Sequence, residues 1–165
     1  MNTSKKFRAS LASSSSALLL SLALLCLSPL CASAQQNKII VTPPDPFVLK
    51  HGTSADQTLR VTVAPGFHVN GDRPKDEFLI PLKLTWTGPL EAKSVTYPKT
   101  EEIKVGNQML VVLTGTFIIH TNFAAPQSLA PGSTTMIGKL RYQACNNEMC
   151  FRPSSVEVKL PVVVE

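Results

Sequence analysis

Two cysteines near the end of the chain are the residues best suited to chemistry. Cys145 and Cys150 lie in the stretch CNNEMC, with four residues between them. If they close a hairpin loop, they occupy facing positions that are about 4.5–5.5 Å apart at Cα, which a disulfide can bridge. The spacing therefore predicts a disulfide that either holds a loop in shape or exchanges with the thiols of other proteins.

Spacing alone leaves the structural and the redox interpretations open. A ring of about six residues contributes only ~2 kcal/mol in the chain-entropy model, against ~4–5 kcal/mol for a ring of a hundred. A disulfide at a loop tip can also be reached by an incoming thiolate, and it can open while the strands behind it stay paired. The first interpretation predicts a non-redox interaction module, and the second predicts an electron carrier.

The start of the chain has the pattern of a secretory signal peptide. MNTSKKFRAS is basic without an acidic residue, an apolar run follows it, and Ala32 to Ala34 supply a small-x-small end. The apolar run is shorter than the ~20 residues that cross a bilayer, and Pro29 interrupts it. We expect residues 1–34 to be a signal peptide cleaved after Ala34, and the mature protein to be periplasmic or otherwise exported, without stable membrane insertion.

Cleavage would leave residues 35–165, a length that suits one domain. Of the four cysteines only Cys145 and Cys150 would remain, in a compartment where a disulfide persists. Most of the excess basic charge lies in the predicted signal peptide, and no basic stripe with interleaved aromatic residues follows it. We therefore expect no nucleic-acid partner.

The elements that must position the cysteines are strands. Apolar and polar residues alternate in 59–63, 82–86, 140–144 and 156–160, as they do on a strand with one buried face. Residues 109–119, MLVVLTGTFII, are apolar on both sides and predict a single central strand. Frequent prolines and glycines punctuate these runs. About seven to nine short strands of this kind indicate an all-β, immunoglobulin-like β-sandwich, with the cysteines at the tip of a hairpin.

The residues around the cysteines resemble the N-terminal periplasmic domain of the DsbD-type thiol:disulfide interchange proteins. The resemblance is clearest in YQACNNEMCFRP, and VAPGFHVN supports it. DEFLIPLKL, from Asp76, is similar to shorter stand-alone relatives. The resemblance extends over nearly all of residues 35–165.

This resemblance implies a thiol–disulfide oxidoreductase domain that needs no cofactor and that we expect to be a monomer. In the family, the domain receives electrons from a membrane-embedded donor of the DsbD/CcdA type. It passes them to periplasmic thiol–disulfide proteins such as disulfide isomerases or cytochrome-maturation factors. The second cysteine of the family forms the mixed disulfide, which would be Cys150 here, and Cys145 would resolve it. The sequence contains no membrane region that could serve as donor, so we expect a separate polypeptide to supply the electrons.

The sequence departs from the best-known members of the family at three places. Four residues separate the cysteines where those members have five. The tyrosines that flank the pair in those members align near Phe67 to Asn70 here and are replaced by other residues. The loop that caps the pair aligns with residues 97–109, which puts Ile103 where an aromatic is expected. Asp76 to Phe78 imitate the cap tripeptide, but they lie early in the chain for that role.

The histidines, two acidic residues and two aromatic residues are further candidates, each of which can have either a functional or a purely structural role. A copper site would need His68 or His120 to approach Cys145, Met149 and Cys150. The remaining candidates are Glu101 and Glu102 as proton acceptors, Phe151 as a cover for the sulfurs or a plain strand residue, and Trp86 as part of the core.

Overall fold

The structure, a computed structural model, describes residues 38–165. This range contains strands and turns without a helix, and so no apolar helix of bilayer-spanning length. The predicted signal peptide lies outside the described residues. The strands are β1 (Ile39–Val41), β2 (Phe47–Leu49), β3 (Ser54–Val63), β4 (His68–Asn70), β5 (Lys83–Thr87), β6 (Glu91–Thr96), β7 (Glu101–Val105), β8 (Gln108–Leu113), β9 (Thr116–Ala124), β10 (Gly132–Tyr142), β11 (Ala144–Cys145) and β12 (Ser154–Val164).

The strands form three four-stranded sheets. The first has the order β1-β3-β9-β6, the second β2-β12-β10-β5 and the third β11-β4-β8-β7. All the pairings are antiparallel except that of β2 with β12. The first two sheets share a core, and the third continues it at the end that carries the cysteines. The prediction of an all-β, immunoglobulin-like sandwich is confirmed.

Alternating side chains fill the core, as the sequence predicts. Leu59, Val61 and Val63 of β3 are buried while Arg60 between them is exposed. Trp86, predicted as part of the core, is half-buried and packs against it. Its ring packs against both buried clusters, lies 5.2 Å from the ring of Phe123, and donates from Nε1 to Thr121 Oγ1 at 3.1 Å. A large polar aromatic is thereby satisfied inside the sandwich.

The prediction of one central strand over residues 109–119 is wrong. The chain forms β8 and β9, separated by Thr114 and Gly115, and passes there from the third sheet to the first. Gly115 has a φ of 56°, a left-handed conformation that glycine adopts without steric cost. Both strands pack into the core, so apolar residues continue on either side of the turn and the sequence pattern does not reveal it.

The contact between Trp86 and Gly138 gives a test of this packing. The two residues are cross-strand partners, and a Cβ built on Gly138 would lie 2.8 Å from Trp86 Cζ3. We expect Gly138→Ala to lower the free energy of unfolding by about 1–3 kcal/mol, because the indole must move from its place in the core. Urea unfolding measures the change. Lys139→Ala, at the exposed neighbouring position, should change it by less than about 0.5 kcal/mol. Equal losses in the two variants would contradict the packing argument.

Candidate functional site

The two cysteines are joined by a disulfide at a hairpin tip, as predicted. Cys145 ends β11, and Cys150 pairs with it in an isolated antiparallel bridge before the chain enters β12. Their Cα atoms are 4.0 Å apart. The long β10–β12 ladder continues behind the pair as far as Tyr142 opposite Ser154. The bond therefore lies beyond the end of a ladder that is already closed.

The turn between the cysteines has its own hydrogen bonds. Asn146 Oδ1 accepts from the backbone N–H of Glu148 at 2.9 Å and of Met149 at 2.8 Å. The N–H of Asn146 donates to the carbonyl of Met149, and the N–H of Phe151 donates to the carbonyl of Ala144. Such an Asx turn sets the loop geometry locally. The hairpin thus retains bonds that would hold its shape when the disulfide opens.

The two sulfur-bearing residues differ sharply in exposure. Cys145 is 1% exposed, whereas Cys150 lies on the surface beside the exposed Met149. A thiolate that attacks a disulfide needs access to the sulfur it attacks. Of the two cysteines, Cys150 is therefore the one open to an incoming thiol.

Strand register separates the polar part of the site from the core. Ala144 pairs with Val69, and both belong to the main core cluster. Cys145 pairs with His68, so these two side chains point to the opposite face of the sheet. Asn70, two residues from His68, shares that face, as does Gln143, two residues from Cys145. We call these four residues the polar face: Cys145, His68, Asn70 and Gln143.

The loop of residues 71–82 is held to the polar face by amide side chains. Asn70 Nδ2 donates to the carbonyl of Ile80 at 2.9 Å, and the N–H of Ile80 donates to Gln143 Oε1 at 3.2 Å. Asn70 Nδ2 also donates to Gln143 Oε1, and Gln143 Nε2 donates to the carbonyl of Phe151. Asn70 and Gln143 were not among the candidate residues. The signal for them was their two-residue spacing from His68 and from Cys145.

The predicted cap position, Ile103, lies away from the cysteines. It pairs with Leu110 on β7, the far edge strand of the third sheet. Three strand spacings separate β7 from β11, which is roughly 14 Å at about 4.8 Å each. The loop that lies against the cysteine hairpin is instead residues 71–82. This loop carries Asp76 to Phe78, which resemble the cap tripeptide of the family but were expected to lie too early in the chain for that role. Phe78 is 83% exposed.

The acidic pair predicted as a proton acceptor is engaged elsewhere. Glu102 forms an ion pair with Lys75 at 2.5 Å, and Glu101 accepts a hydrogen bond from the hydroxyl of Thr114. Both carboxylates lie on β7 and are exposed. The structure does not bring them to the sulfurs.

Phe151 lies between the bridged Cys150 and the start of β12, outside the named strands. Its N–H donates to the carbonyl of Ala144, and the residue is half-buried. Its ring lies 5.8 Å from that of Phe67, and the ammonium group of Lys38 lies 4.1 Å from the ring centroid.

The histidines of the copper alternative are separated. His68 lies in the polar face opposite Cys145, whereas His120 is exposed on β9 in the first sheet. Within residues 38–165, no group of three His, Cys, Asp or Glu side chains is arranged to hold a metal ion. His68 is 3% exposed, and burial lowers its pKa below the usual value.

The chain matches the family of thiol:disulfide interchange protein DsbD N-terminal domains over residues 37–161. It belongs to that family. None of the curated proteins compared with it matches its sequence.

Two solved structures are similar to this chain. One is the N-terminal periplasmic domain of ScsB from Proteus mirabilis, with 14% identity and a TM-score of 0.53 over 74% of this chain. The match spans 44% of the ScsB structure. The other is the reduced DsbD N-terminal domain of Neisseria meningitidis, with 15% identity, a TM-score of 0.44, and coverage of 67% of this chain and 79% of that one. The ScsB comparison supports the fold.

Gln143 tests how firmly the loop is held to the cysteine hairpin. We expect Gln143→Leu to lower the free energy of unfolding by about 1–3 kcal/mol, because the N–H of Ile80 and the carbonyl of Phe151 lose a partner. Hydrogen exchange at the Ile80 amide should accelerate as well. Gln108→Leu, at an exposed position of β8, is the matched control. Unchanged exchange at Ile80 in Gln143→Leu would show that the amide bridge does not anchor the loop.

Proposed function

We propose that this protein is an exported thiol–disulfide exchange domain that relays electrons through Cys145 and Cys150. The observation that carries the proposal is the asymmetry of the disulfide. One sulfur is accessible at a hairpin tip with hydrogen bonds of its own, and the other is buried behind it. Membership of the DsbD N-terminal family supports the same chemistry.

In the proposed relay, both the reduction of the domain by the donor and the reduction of the acceptor by the domain take place at Cys150. A donor thiolate attacks Cys150 Sγ, the disulfide breaks, and Cys145 leaves with the electron pair. The donor's second thiol then displaces Cys150, which leaves the domain as a dithiol and the donor as a disulfide. In the transfer step, the Cys150 thiolate attacks an acceptor disulfide, and Cys145 then attacks Cys150 to release the reduced acceptor. Two electrons enter from the donor and two leave to the acceptor, and the cysteine sulfurs carry them, so the relay needs no cofactor.

The proposed partners are proteins on either side of this relay. The donor is a membrane reductant of the DsbD/CcdA type, and the acceptors are periplasmic proteins such as disulfide isomerases or cytochrome-maturation factors. Export by a signal peptide over residues 1–34, cleaved after Ala34, places the domain in that compartment. The periplasmic location of the ScsB domain, which shares the fold, supports this placement. The domain acts as a monomer.

Serine variants test which cysteine meets the partner. We expect Cys145→Ser to form a stable mixed disulfide with oxidised glutathione through the exposed Cys150. Cys150→Ser should form its adduct at least about tenfold more slowly, because Cys145 is 1% exposed. Mass spectrometry of timed, acid-quenched samples measures both rates. Equal rates for the two variants would remove the basis for assigning the attack to Cys150.

The non-redox interaction module remains the alternative, and the burial of Cys145 is the observation that favours it. The reduction potential separates the two functions. We expect a value between about −300 and −120 mV by equilibration with glutathione buffers, because carriers must exchange electrons in both directions. A value well below about −300 mV would identify an inert structural bond instead. The double variant with both cysteines replaced by serine should show no transition, which verifies that the signal comes from this pair.

A further inference from the structure

His68 and Cys145 are direct cross-strand partners at the site. Their pairing in the third sheet puts both side chains on the polar face, with Cβ atoms about 4.5–5.5 Å apart. His68 is 3% exposed and Cys145 is 1% exposed, so water has little access to either. The imidazole and the sulfur that leaves in the proposed exchange therefore belong to neighbouring side chains on one face of the sheet.

The imidazole has an unused hydrogen-bonding atom. His68 Nε2 is buried, and the residues that the structure describes supply no partner for it; the same is true of Asn70 Oδ1 on the same face. Buried polar atoms are nearly always paired, so an orphan calls for an explanation. Reduction of the disulfide creates an S–H donor at Cys145, the cross-strand partner of His68 on the same face. Of the imidazole and the Asn70 amide, only the imidazole can also take the proton.

The leaving sulfur needs such a group. When the bond to Cys150 breaks, Cys145 leaves as a thiolate in a place that water hardly reaches, and an unpaired buried charge is strongly unfavourable. In the reverse step, Cys145 must lose a proton to become nucleophilic. Both steps require a proton donor or acceptor at the same sulfur.

The surroundings keep the imidazole available as a base. Burial is the cause that lowers the pKa of His68, which favours its neutral form at neutral pH. The strand β11 brings Cys145 to it, while β8 contributes no ionisable side chain. The loop 71–82, the cysteine turn and the N-terminal segment carry other charged groups: Asp72, Arg73, Lys75, Asp76, Glu77, Glu148 and Lys38. Arg73 lies 3.6 Å from Asp72. Lys75 is paired with Glu102, and Lys38 lies over the ring of Phe151.

We propose that His68 accepts the proton of Cys145 when Cys145 resolves a mixed disulfide, and returns it when the disulfide is reduced. The proposal rests on the exchange function proposed above. In resolution, the S–H proton passes to Nε2, the Cys145 sulfur bonds to Cys150 Sγ, and the bond from Cys150 to the acceptor breaks. The electron pair of that bond leaves on the acceptor sulfur, and the imidazolium releases its proton to solvent. In reduction the same steps run backwards.

Reaction of the reduced protein with dithiobis-nitrobenzoate separates the two steps. The first coloured thiolate is released when Cys150 attacks, and the second when Cys145 resolves the adduct. We expect His68→Gln to slow the second release by about 10²-fold at neutral pH, the scale of general acid–base catalysis. The first release should change by less than about threefold, since Cys150 is exposed. His120→Gln, at an exposed position of β9, should match the wild type in both.

The pH dependence of the second release distinguishes proton transfer by His68 from a purely structural role of that residue. In the wild type, the rate of the second release should level off above the pKa of His68, whereas in His68→Gln it should keep rising with ionisation of the thiol. A fast second release with the same profile in both proteins would overturn the role of His68 and leave the exchange function standing. A wild type that never gives the second release would overturn the exchange function itself.

A measurement on unsubstituted protein covers the case in which His68→Gln does not fold. We expect the ring resonances of His68 in NMR titrations to acquire a second inflection after reduction, at the pH where the Cys145 thiol ionises. The resonances of His51 and His120 should not acquire it, and neither should those of His68 in Cys145→Ser. His68 resonances that titrate alike in the oxidised and reduced proteins would overturn the proposal.

Discussion

The pairing of β11 with β4 is the constraint on which the rest of the site depends. Because side chains alternate along a strand, the register that sets Ala144 opposite Val69 in the core also sets Cys145 opposite His68 on the other face. A shift of one residue would exchange the two faces and bury the polar residues among apolar ones. The buried core contact of Ala144 and Val69 therefore fixes the register, and the register brings the sulfur, the imidazole and the two amides together.

The same arrangement makes the two ends of one covalent bond chemically different. Cys150 belongs to an exposed turn with its own hydrogen bonds, whereas Cys145 belongs to a sheet and is closed off from water. In the proposed exchange, this asymmetry sets the order of reaction, because the exposed sulfur is attacked and the buried one leaves and returns. The long β10–β12 ladder anchors both arms of the hairpin, so opening the bond need not disturb the sandwich.

The loop of residues 71–82 shows how sequence position can mislead. An alignment by distance along the chain points to residues 97–109 as the cover of the cysteines, but those residues form the edge hairpin of β7 and β8. The contact with the cysteine hairpin belongs instead to the loop held by Asn70 and Gln143. Amide side chains can form hydrogen bonds between segments far apart in sequence. The amino-acid composition does not indicate which segments they will join.

The sequence by itself determined the strands, the burial of alternate residues and the hairpin that joins the cysteines, because period-two patterning and loop length are local properties. It did not reveal the turn at Gly115, since both flanking strands bury apolar residues and the pattern continues across it. The unequal exposure of the cysteines, the partner opposite Cys145 and the loop against the hairpin were decided by the tertiary structure alone. Each depends on the pairing of strands and loops that are distant in the chain, and no local pattern of residues specifies which distant segments meet.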